Sequence, residues 1–86
     1  MLPPEIEIYK RIDEILWEEW DPIGVNAYPE ARDEYYSYLH EVAELKSSNV
    51  GAEIIAHHLF SIELDPIGLS GNLANCRRVA ELIVSL

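Results

Sequence analysis

Apolar positions recur at helical spacing in four separate stretches of the chain. In residues 3–20, PPEIEIYKRIDEILWEEW, the side chains of Ile8, Ile12, Ile15, Leu16 and Trp20 fall on one side at about 100° per residue. Glu7, Glu14 and Glu18 lie opposite, and Trp17 falls beside the stripe rather than within it. Pro3 and Pro4 suit a helix start, where a missing N–H costs nothing. In residues 29–46, PEARDEYYSYLHEVAELK, one face is centred on Tyr35, Leu39, Val42 and Lys46, with Tyr36, Tyr38, Ala43 and Leu45 on its flanks. Asp33, Glu34, Ser37, Glu41 and Glu44 make the polar face. Three tyrosines in four residues have the look of an aromatic recognition patch. Flanking tyrosines that bury their rings and keep their hydroxyls wet account for them more simply.

The third stretch, residues 50–64, VGAEIIAHHLFSIEL, is apolar nearly all round. Ile54, Ile55, Leu59 and Ile62 make one face, and Ala56, Phe60 and Leu64 much of the other. Such a helix is central to a domain or covered on one side by a partner. The fourth, residues 72–86, NLANCRRVAELIVSL, turns Cys76, Val79, Ala80, Ile83 and Leu86 inward and leaves Arg77 and Glu81 paired at i,i+4 on a polar strip.

Between these helices the tetrapeptide DPIG occurs twice, at Asp21-Pro22-Ile23-Gly24 and Asp65-Pro66-Ile67-Gly68, 44 residues apart. Asp first, Pro second and Gly fourth are the preferences of a type I turn. Each proline also disfavours helical geometry in the residue before it. DPIG therefore reads as punctuation between helices. At the same offset Leu16 matches Phe60, Tyr35 matches Val79, Leu39 matches Ile83 and Val42 matches Leu86. The expected fold is all-α: one compact four-helix domain over residues 1–86, made of two helix–DPIG–helix units.

The segment Trp20-Asp21-Pro22-Ile23-Gly24-Val25, followed by Asp33-Glu34-Tyr35, resembles a family of small acidic bacterial helical proteins of unknown function that carry a W-D-P-I-G-V signature. The resemblance covers roughly residues 15–40. It implies a small cytosolic all-α protein of the accessory or immunity type found beside bacterial toxins.

Charge narrows the functional classes. Sixteen acids against six bases give a net charge of −10. Residues 1–46 hold twelve acids and four bases, −8; residues 47–86 hold four acids and two bases, −2. That sign repels nucleic acid and anionic membranes and speeds encounter with a basic protein, although solubility alone is a sufficient reason for it. The apolar runs are far shorter than the ~20 residues of a membrane helix. No basic region followed by an apolar core opens the chain, and the single Cys76 has no internal disulfide partner, so a reducing cytoplasm is the expected location.

Candidate chemistry is sparse. His40 with Glu44, and Glu53 with His57, share helix faces at i,i+4, each offering two metal ligands without an evident third. His58 falls between Ile54 and Ile62, where a satisfied core or interface histidine is expected. Glu18-x-x-Asp21, Glu30-x-x-Asp33 and Glu41-x-x-Glu44 echo the magnesium motifs of all-α nucleotide pyrophosphohydrolases, but their spacing is too short and six bases are few for holding phosphates. Cys76 reads as a buried structural thiol. There is no glycine-rich phosphate loop, and neither a cofactor nor a metal is expected. The leading expectation is a non-enzymatic interaction module that engages a basic partner protein through Glu7, Glu14, Trp17, Glu18, Asp33, Glu34, Glu41 and Glu44. Trp17 would be its aromatic anchor. A metal-dependent nucleotide hydrolase is the alternative. Self-association as a homodimer through the third helix is a further expectation.

Overall fold

A computed structural model describes the backbone of residues 4–86 and the side chains of residues 6–86; Pro3 lies outside the described residues. Four α-helices follow one another: α1 (Pro4–Ile15), α2 (Tyr36–Ser47), α3 (Ala52–Leu64) and α4 (Leu73–Val84). Among the described residues there is no strand. α1 packs on α2, and α3 packs most extensively on α4. The Cα atoms fill a slab of 38 × 30 × 18 Å. The fold is thus the expected all-α four-helix domain, and its interior is drawn from all four helices. Ile12, Leu16, Val42, Ile55, Leu59, Cys76, Val79 and Ile83 are essentially inaccessible.

The first helix does not run as α to Trp20. Leu16–Trp20 is a π turn. It closes on Asp21, whose backbone N–H donates to the Leu16 carbonyl at 3.0 Å and whose φ of 32° and ψ of 59° place it in the left-handed region. An i→i+5 turn advances less per residue than an α turn. Positions after Leu16 therefore lag the 100° projection, and Tyr35 packs against the rings of Trp17 and Trp20. Trp17 keeps only 9% of its surface and Trp20 2%, so Trp17 belongs to the core. A uniform helical wheel puts it beside the stripe because the wheel does not include Tyr35 and Arg32, which cover the ring from the following connector.

The second helix begins late. Pro29–Ala31 forms a 3₁₀ turn and α2 starts only at Tyr36. Across this connector, Arg32, Glu34, Tyr36 and Tyr38 each donate a backbone N–H to the carbonyl three residues back, at 2.9 to 3.2 Å. Asp33 and Glu34 accordingly sit on a tight connector and not on a helix face. In the second unit the positions 44 residues further on, from Leu73, are helical. In that register the second helix begins seven positions earlier than α2, yet Tyr35 and Val79 are both buried.

The two DPIG segments separate helices as expected, but they are not the same turn. In the first, the Gly24 N–H donates to the Asp21 carbonyl at 3.1 Å, the i→i+3 bond of a β-turn. The Asp21 carboxylate accepts from Val25 N–H at 2.9 Å and Asn26 N–H at 3.2 Å. In the second, the Asp65–Pro66 bond is cis, and the chain closes backward through Ile67 N–H to the Ile62 carbonyl and Leu69 N–H to the Glu63 carbonyl. Gly24 and Gly68 share a positive φ, 76° and 83°, which favours glycine at the fourth position of both.

α3 is less enclosed than its composition suggests. Ile55, Ala56, Leu59 and Ile62 are buried, whereas Ile54 is 53% exposed and Leu64 44%. His58 is not a satisfied core histidine. Its side chain is 21% exposed, and Nε2 lies 3.4 Å from Glu41 Oε2 without hydrogen-bond geometry. Arg77 does not pair with Glu81. Its guanidinium reaches across to α3 and holds both oxygens of Glu53, at 2.9 to 3.3 Å.

Candidate functional site

The acids of the first half divide into those the fold uses and those it leaves outside. Asp13 is used: Arg32 donates to both its oxygens, at 3.1 and 2.8 Å, and this bond raises the Arg32 pKa. The same guanidinium stacks over the Trp17 ring at 5.2 Å, covering what remains of that face. Glu19 is used: it accepts from Arg78 at 2.7 Å, tying the π turn to α4. Asp21 is used in its turn and also takes the Tyr35 hydroxyl at 2.7 Å. Burial first, and that bond second, push the Tyr35 pKa up.

Glu7, Glu14, Glu18, Glu30, Asp33 and Glu34 are all exposed, and among the described residues none has an ion-pair partner. Glu7, Glu14 and Glu18 recur along the outer side of α1 and its π turn, while Glu30, Asp33 and Glu34 lie on the connector before α2. Glu41 and Glu44 are exposed too, each beside a histidine: Glu41 near His58, and Glu44 3.1 Å from His40. Of the residues expected to meet a partner, the structure thus places seven carboxylates on the surface and removes Trp17 to the interior.

The metal-type pairs stay pairs. His40–Glu44 and His57–Glu53 form, at 3.1 Å each. Glu53 is held below the usual carboxylate range, chiefly by Arg77 and secondarily by His57. Among the described residues no group of three or more His, Cys, Asp or Glu side chains is placed to hold a metal ion. No helix among them is long and apolar enough to cross a membrane.

Sequence reasoning missed Glu63. It is 2% exposed, a buried carboxylate in an otherwise apolar interior. Three donors satisfy it: Trp20 Nε1 at 2.8 Å and Cys76 Sγ at 3.2 Å on Oε2, and the Asn72 backbone N–H at 2.7 Å on Oε1. Asn72 is the N-cap of α4, its side chain accepting from Asn75 N–H at 3.0 Å. In a capping box the third helical residue would reach back to the N-cap N–H. Here that acceptor comes from α3, and the Glu63 carboxyl sits at the N-terminus of α4, where unpaired backbone N–H groups seek an acceptor. Burial, then the bond to Glu63, push the Cys76 thiol up to about 12, which keeps it a protonated donor.

This clasp floors an open hollow of about 340 Å³ lined by Trp20, Asp21, Pro22, Leu69, Asn72 and Asn75 among others. Both of its carboxylates already face donors of the fold itself. Two signals pointed to Glu63. It shares the inward phase of Ile55, Leu59 and Ile62 on α3, and it stands two residues before DPIG, as Glu19 does in the first unit. Comparison with known proteins adds nothing to this geometry: no protein-family model, characterised protein or solved structure matches the chain significantly.

Proposed function

We propose that this chain is a non-enzymatic interaction module that uses its acidic first half to engage a basic partner protein. The observation that carries the reading is the set of exposed carboxylates, Glu7, Glu14, Glu18, Glu30, Asp33 and Glu34, that have no ion-pair partner among the described residues. The second half has only four acids, and two of them are engaged, Glu53 by Arg77 and Glu63 by the clasp. Oppositely charged surfaces steer encounter and select against acidic partners. The specific version is an immunity-type inhibitor that covers the positive surface of a toxin. Trp17 has no part in it, and the aromatic contribution falls to exposed rings such as Tyr36, 51% accessible.

The test is capture of the partner from the native host, followed by association kinetics at rising salt. Screening shortens from ~10 Å at 0.1 M to ~3 Å at 1 M, so the association rate should fall steeply. Glu14→Lys with Glu18→Lys should slow association further without unfolding α1. An acidic partner, or rates indifferent to salt and to both changes, would overturn the reading. Of the three acid pairs behind the nucleotide-hydrolase alternative, only Glu41 and Glu44 share an α-helix. Asp21 is engaged in its own turn, and Glu30 and Asp33 lie on a 3₁₀ turn and its connector.

A further inference from the structure

We infer that the seam between α1 and α2 is a docking groove for a basic amphipathic helix of the partner. This rests on the reading of the acidic half above and names which part of that half makes contact and with what. The groove encloses about 350 Å³ and is lined by Ile6, Tyr9, Lys10 and Asp13 from α1 and by Tyr36 and Leu39 from α2. The α1 residues are spaced i, i+3, i+4, i+7, so they form one continuous stripe. Ile6 is 44% and Tyr36 51% exposed, leaving an isoleucine and an aromatic ring uncovered on facing helices. A second hollow, of about 180 Å³, shares Tyr9 and continues along the seam past Ile8 and Ala43 to Glu44 and Ser47.

Three features select the occupant. The groove follows the ridges of two adjacent helices and spans about 10 Å from Ile6 to Asp13 at 1.5 Å per residue, room for two or three anchor side chains of a helix. Among the described residues no strand edge is available, so an extended segment has no backbone to pair with. The surrounding charge is negative. Glu7 and Glu14 flank Lys10 at i−3 and i+4, Asp13 is already held by Arg32, and Glu44 borders the second hollow. A partner helix with apolar residues at i, i+3 or i+4 and i+7, and lysine or arginine around them, matches both groove and rim. A second copy of this chain in a two-fold pairing would bring the same acidic face against it.

The probe is a synthetic peptide of about 14 residues, roughly 20 Å as a helix. It carries leucines at that spacing and lysines elsewhere, and its control is a scrambled peptide of the same composition. Titration at 0.1 M salt is followed by amide chemical shifts. The patterned peptide should perturb Ile6, Tyr9, Tyr36 and Leu39 and bind more tightly than the scramble. Ile6→Asp is the decisive variant. It adds an attractive charge yet should weaken binding about tenfold, because it destroys an apolar anchor. Tyr36→Ala should weaken it too, and both sites are exposed enough for the fold to persist, which circular dichroism checks. Unchanged or tighter binding by Ile6→Asp overturns the groove while leaving the acidic-half reading standing. Loss of binding on Ile6→Asp with indifference to Glu7→Lys plus Glu14→Lys overturns the basic character of the partner, and with it that reading. Equal binding of the scramble, shifts confined to α3 and α4, or a dimer of the free protein that Ile6→Asp dissolves, each overturns the inference.

Discussion

Trp20 and Glu63, 43 residues apart, are joined by a 2.8 Å hydrogen bond from the indole N–H to a buried carboxylate oxygen. The bond links the end of the first unit's leading helix to the end of the second's. Glu63 also receives the Cys76 thiol and the Asn72 N–H, so one carboxylate organises the π turn, α3 and the start of α4.

Removing that acceptor should cost more than any surface change. Glu63→Leu leaves the buried indole without an acceptor, at about 1–3 kcal/mol, and also frees the half-buried Asn72 N–H. Urea denaturation should show a loss of at least about 2 kcal/mol. Glu63→Gln keeps one acceptor oxygen and should lose less. A Glu63→Leu protein within about 0.5 kcal/mol of the parent would contradict the clasp.

Trp17→Ala separates core from surface. A buried tryptophan cut to alanine costs about 3–5 kcal/mol, while an exposed anchor would change stability by about 0.5 kcal/mol or less. The thermal midpoint is the measurement, and for a domain of this size each kcal/mol moves it by about 4–8 °C. A midpoint within 3 °C of the parent, roughly the surface-level effect, would return Trp17 to the outside.

Cys76 should be inert in the native state. With its thiol pushed up to about 12 and no exposed surface, iodoacetamide at pH 8 should label it only as fast as the protein unfolds. The native state holds the thiol proton more tightly than the unfolded chain, whose thiol takes the ordinary value of 9.0. The thiol's contribution to stability is therefore complete below pH 9 and declines as pH rises from there towards about 12. Cys76→Ser, which keeps a donor to Glu63, should flatten that decline. An unchanged alkaline profile would show that the thiol does not cause it.

Gly71→Ala should destabilise, and Gly51→Ala less so. Both have a positive φ, 86° and 91°. A methyl group on Gly71 would run into the Phe60 ring and reach Leu64, while nothing stands near Gly51. The difference between the two variants isolates the close approach from the backbone cost, and equal losses would mean that Phe60 moves aside.

The helical skeleton was legible because each apolar stripe has the 3.6-residue period, and no strand pattern competes with it. The fourth stretch was read from residue 72, and the structure makes Asn72 the N-cap there, its side chain accepting from Asn75 N–H. The fate of Trp17 was not, because a π turn is set by tertiary demand: the indoles of Trp17 and Trp20 both pack on Tyr35, at 6.3 and 5.3 Å. Nor was the late start of α2, where Arg32 is drawn to Asp13 and Tyr35 to Asp21 across the chain. Glu19 and Glu63 show the limit most directly. Each stands two residues before a DPIG, yet one is paired outside with Arg78 and the other is sealed inside. Their neighbours in the chain do not tell them apart; their neighbours in space do.

The Trp20–Glu63 bond and the Glu19–Arg78 pair run in opposite senses between the two units. Each unit lends the other a carboxylate. Cut at the exposed Ser48–Asn49 turn between α2 and α3, the chain would yield two fragments that each lack a ligand the other carries. The first would hold an indole with no acceptor and the second a buried acid missing a donor. Such halves have reason to remain unstructured alone and to fold upon meeting, which makes this small domain a natural template for a two-piece reconstitution reporter.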